Sequence, residues 1–120
     1  MQGRPLVPVL IGSAATFLLA CSGPELRADF DSLSPAERAR AIAIAAQNDD
    51  DTPRTVASLI EELDAADPAV RMLAAHTLRD LTGESFDYDY AAHRRDREAA
   101  VQRWADWYLK NHSDHPNIAE

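Results

Sequence analysis

Residues 52–83, TPRTVASLIEELDAADPAVRMLAAHTLRDLTG, decide the fold. In the first half Val56, Leu59, Ile60 and Leu63 recur at the spacing that lines one face of a helix. In the second half Val70, Leu73, Ala74, Thr77, Leu78 and Leu81 repeat that spacing, and Ala65-Ala66-Asp67 leaves room only for a tight reversal. The stretch predicts two helices, 53–65 and 68–81, closed as a hairpin. Thr52 before Pro53 and Asp67 before Pro68 place an oxygen-bearing cap ahead of a proline whose missing N–H costs nothing at the first helical position. Gly83 supplies the left-handed stop.

Outward from the hairpin, Ser34-Pro35-Ala36-Glu37 reads as a capping box opening a helix over 35–47, with Ala39, Ile42, Ala43 and Ala46 expected on its buried face. Asn48-Asp49-Asp50-Asp51 ends it with turn formers. A calcium loop would need a central glycine and a terminal glutamate, which do not follow. Beyond Gly83 the segment Glu84-Ser85-Phe86-Asp87-Tyr88-Asp89-Tyr90 alternates aromatics with acids. It either packs its rings against the end of the hairpin or forms a loop that binds a ligand or stacks on carbohydrate. A last helix is expected over 94–110, its early Asp96 and Glu98 and late Lys110 matching the helix dipole. Val101, Trp104, Ala105 and Tyr108 form its stripe, so Trp104 should be buried. Trp107 should be half-exposed at the edge, stacked by the guanidinium of Arg103. Trp107, Arg103, Tyr88 and Tyr90 are the candidate partner contacts, and 112–120 reads as a frayed tail.

The 120 residues suffice for one small domain, and their alanine-rich, glycine-poor composition indicates an all-α fold. With 12 basic against 20 acidic residues and a formal charge of −8, nucleic acid is excluded as the expected partner. The single cysteine, Cys21, excludes an internal disulfide and a cysteine-based zinc cluster. Residues 1–20 carry one charge, Arg4, then an apolar run ending in Leu18-Leu19-Ala20-Cys21. This resembles a bacterial lipoprotein signal peptide, in which Cys21 becomes the lipid-bearing N-terminus. The resemblance implies a protein anchored in the bacterial cell envelope on the periplasmic side. Ser22, in place of the aspartate that retains some such lipoproteins at the inner membrane, points to the outer membrane. Pro5 and Pro8 leave open an ordinary cleaved signal or a retained anchor. Residues 21–33 mix glycine, proline and acids and read as a flexible tether to a helical domain over 34–111.

Laid end to end, the four helices form an array in which no pair buries its apolar face alone. The central pair resembles a HEAT repeat, carried by Leu59-Ile60-Glu61-Glu62-Leu63, the turn Asp67-Pro68-Ala69-Val70-Arg71, and Ala74-Ala75 and Leu78 behind it. The resemblance implies a short right-handed α-solenoid in which Asp67 caps the second helix, Arg71 lies along the stack to neighbouring turns and the Trp104/Trp107 helix is a terminal cap. One complete repeat and half of a preceding one are present.

No glycine-rich phosphate loop, nucleophile elbow or paired-carboxylate motif occurs, and none of the four histidines has a convincing partner. His76 reads as a boundary residue. The expectation is a non-enzymatic, cofactor-free interaction module that binds another protein. The alternative is a metal- or ligand-capture lipoprotein using the acidic aromatic loop or the tail residues His112, Asp114 and His115.

Overall fold

The computed structural model describes residues 3–5 and 26–113, so Cys21 and nearly all of the leader lie outside the described residues. Within them the chain is all-helical: α1 is Pro35–Gln47, α2 Pro53–Glu62, α3 Pro68–Thr82 and α4 Arg94–Asn111. Proline opens α1, α2 and α3, which prevents each helix from continuing the one before it. The hairpin pair α2–α3 is the centre; α1 packs on α3 and α4 on α2. Each outer helix therefore packs mainly on the helix two along the chain.

The core comes largely from the expected stripes. Val56, Leu59, Ile60 and Leu63 of the first stripe meet Val70, Ala74 and Leu78 of the second, and Ile42, Trp104 and Tyr108 close the two sides. Leu73, expected on the α3 stripe, is only half-buried at its edge. The α1 face departs further. Arg38 and Ala39 are half-buried and Ala41, Ile42 and Ala45 buried, whereas Ala43 and Ala46, expected inside, are exposed. Alanine loses so little on either face that the rotation of this helix depends on Ile42 against Ile44, and Ile44 is the one left 38 % exposed.

The helix ends show which caps the sequence chemistry sets. Asp67 accepts from the N–H groups of Ala69 at 2.8 Å and Val70 at 3.3 Å, and Gly83 stops α3 at φ 77° while its N–H donates to Arg79. Ser34 and Thr52 occupy the N-cap positions of α1 and α2, but neither hydroxyl caps the helix. Glu37, expected to close a box on Ser34, instead accepts from the hydroxyl of Ser32, whose Oγ also takes the Ser34 N–H. At α2, Asp50 is the organiser. Its carboxylate takes the Thr52 N–H at 3.1 Å and the hydroxyls of Thr52 and Thr55 at 2.8 Å each. The Thr52 hydroxyl, then that of Thr55, hold the Asp50 carboxyl below the usual range. Asp49 ends α1 in the left-handed region at φ 48°, where the N–H groups of Asp49 and Asp50 bond back to Ala46 and Ala45.

The expected tether has a fixed end. Phe30 packs against the core, the Asp29 N–H donates to Glu37 O, and Arg38 donates to Ser32 O at 2.7 Å. Arg38 also reaches Glu62 at the end of α2, at 3.1 Å, in the more buried of the two described ion pairs. Burial raises the Glu62 carboxyl above its usual range, with Arg38 opposing it.

Candidate functional site

The segment between α3 and α4 is where exposed polar chemistry and aromatic rings meet. It begins with Phe86 and Asp87 both in the left-handed region, at φ 51° and 56°, a conformation that side-chain-bearing residues hold only when other contacts fix it. Those contacts are present. The Phe86 ring meets Trp104 edge-on at 4.8 Å and Trp107 at 6.2 Å, and the Arg103 guanidinium donates twice to Phe86 O, at 3.0 and 2.8 Å. Farther on, the Tyr88 hydroxyl donates to Leu63 O at 2.6 Å, and Arg97 donates to Ala92 O at 2.7 Å. Burial raises the Tyr88 phenol above its ordinary value, which keeps the proton that makes this bond.

Arg71, 8 % exposed, is the centre of this end of the molecule. Its guanidinium donates to Ala65 O and Ala66 O at 2.9 Å each and to Tyr90 O at 3.1 Å. A buried cation is thus held by carbonyls beyond the C-terminal end of α2, where the helix dipole is negative, and not by a carboxylate. No ion pair joins it to Asp67 among the described residues. These bonds also explain why α2 ends at Glu62 and not at 65. Leu63, Asp64 and Ala65 tighten into i to i+3 turns, and the carbonyls so released are taken by Tyr88 and Arg71.

The four expected partner contacts fall into different roles. Trp104 is buried and Trp107 half-buried, as their places on the helix predict. Arg103 does not stack on Trp107; its guanidinium is committed to the Phe86 carbonyl. Trp107 is instead met edge-on by Trp104 at 5.5 Å and by His112 at 6.0 Å. Tyr88 is turned inward, which leaves Tyr90, 36 % exposed, as the ring most open to solvent. His112 also packs on Tyr108 at 4.6 Å and so belongs to the helical body and not to a frayed tail, while Asp114 and His115 lie outside the described residues. Among the described residues no three His, Cys, Asp or Glu side chains gather as a metal site, and no helix is long and apolar enough to cross a membrane.

The loop and α3 together enclose an open pocket of about 230 Å³. His76 and Arg79 line it from α3, Ser85, Asp89 and Tyr90 from the loop, and Trp104 from α4. The sequence reading missed Arg79 and dismissed His76. Their spacing of three on the polar face of α3 is the signal that puts both beside one site. Compared with known protein families, with curated proteins and with solved structures, the chain finds no match in any of the three.

Proposed function

We propose that the chain is a lipid-tethered interaction module of the bacterial cell envelope, anchored through Cys21 at the periplasmic side, in the outer rather than the inner membrane, and without catalysis of its own. The observation that carries this reading is the tetrapeptide Leu18-Leu19-Ala20-Cys21 behind an uncharged apolar run. The acyl chains on such a cysteine give firm anchoring where one chain alone does not. The helical body is read as a short HEAT-type right-handed solenoid. Its support is the Asp67-to-Arg71 turn and the packing of α1 on α3 and α4 on α2, which is how stacked helix pairs bury their faces. The exposed positions offered to a protein partner are Tyr90 and the apolar Leu109, 64 % accessible, and Ile44.

Metabolic labelling with a fatty acid tests the anchor: label is expected on the wild type and absent from Cys21→Ala, and an unlabelled wild type removes the reading. Density fractionation of the envelope then assigns the membrane. Photo-crosslinkers at Leu109 and Ile44 test the partner surface in intact cells, and the absence of a discrete adduct from both positions removes the interaction half. The second reading, a ligand-capture lipoprotein, is favoured by one observation, the pocket beside the aromatic loop.

A further inference from the structure

The pocket between α3 and the aromatic loop holds opposite charges that do not meet. Arg79 and Asp89 both line it, yet the ion pairs among the described residues are Arg38–Glu62 and Arg94–Glu98, so no salt bridge joins these two. A cationic and an anionic residue that line one small volume without pairing are complementary to a ligand that carries both signs itself. The remaining lining fits the same chemistry: His76, Ser85 and Tyr90 add donors and acceptors. Asp89 already accepts from the Ala91 N–H through Oδ1 at 2.8 Å, which fixes the carboxylate and leaves Oδ2 for a ligand. The wall that carries Ser85, Asp89 and Tyr90 is held by the bonds of Arg103 to Phe86 O, of the Tyr88 hydroxyl to Leu63 O and of Arg71 to Tyr90 O, so it is set before any ligand arrives. A volume of about 230 Å³ admits a molecule of several heavy atoms and excludes a folded partner.

We propose that this pocket binds a small zwitterion of the α-amino-acid class, its carboxylate on Arg79 and His76 and its ammonium on Asp89. The lipid anchor is not needed for this, and its absence would leave the inference standing. Calorimetric titration of the full chain in detergent with the free amino acids, one at a time, is the test, with acetate and ethylamine as single-charge controls. At least one amino acid should bind saturably while neither control does. Arg79→Gln and Asp89→Asn should each weaken that binding by about tenfold or more. Neither change disturbs a described ion pair, and asparagine retains the acceptor for Ala91, so unchanged thermal unfolding of both variants is expected. No binding by any amino acid overturns the proposal. Acetate binding as tightly as the amino acid, or affinity unmoved by Asp89→Asn, overturns it as well, because the site would then read only a negative charge.

Discussion

The α2–α3 turn and the α3–α4 segment both reverse the chain beside α3, but different residues shape them. The turn is made mainly by residues close to it in sequence: Asp67 caps the helix that follows it, Pro68 opens that helix, i to i+3 bonds tighten the end of α2, and Arg71 takes the Ala65 and Ala66 carbonyls. The longer segment is shaped by residues far along the chain. Arg103, 17 positions from Phe86, and Leu63, 25 positions from Tyr88, supply the partners that hold it, and Trp104 supplies the surface beneath Phe86. A short turn is thus a local property, whereas a loop with two left-handed residues exists only on a formed body.

Trp104→Ala breaks the second region at its base. The ring is fully buried and touches Phe86 and Trp107, so the loss should be about 3 to 5 kcal/mol by denaturant unfolding. Trp107→Ala, removing a half-buried ring, should cost clearly less. The same contrast applies inside the hairpin, where Leu78→Ala should exceed Leu73→Ala because only Leu78 is fully enclosed.

Arg71→Met damages both regions together. It keeps much of the side-chain volume but strands three carbonyls, so a loss of about 3 kcal/mol is expected from the thermal midpoint. A loss of only a few tenths would mean that water serves these carbonyls equally well. Asp67→Ala touches the turn alone and should cost about 1 kcal/mol, while Ser34→Ala at the corresponding place on α1 should cost almost nothing, since its hydroxyl caps no N–H. Equal losses at the two positions would overturn this distinction.

The smallest effect is in pH dependence. Because burial raises the Glu62 carboxyl above its unfolded value, the folded state holds its proton more tightly, and that contribution to stability is present in acid and lost as pH rises through the folded value. Glu62→Gln should therefore abolish one component of the melting temperature that declines as pH rises above the ordinary carboxylate range. A profile that stays parallel to the wild type would show that Arg38 fully offsets the burial.

The hairpin, the four helices and the unequal burial of the two tryptophans were readable because apolar spacing and cap chemistry are written within each segment. Three features were not. The face of α1 depends on which of two isoleucines packs on α3, and its alanines carry no preference. The early end of α2 follows from Tyr88 and Arg71, whose bonds cross from other elements. The pocket requires the polar face of α3 to meet a loop whose path local sequence does not set, so Arg79 carried no mark as a site residue. The spacing also predicts the Trp107 ring as the partner of Arg103, but the Phe86 carbonyl accepts two directed bonds from the guanidinium, which outcompete a nearby ring.

The single guanidinium of Arg71 has a dynamic consequence. It joins the Ala65 and Ala66 carbonyls of the turn to the Tyr90 carbonyl of the loop, so neither region can open alone without leaving a buried cation short of acceptors. Arrays of stacked helices ordinarily fray from their ends, one unit at a time. Here the latch ties the far loop to the central hairpin, and the backbone amides of both should exchange with solvent through one shared opening event, as a single cooperative unit.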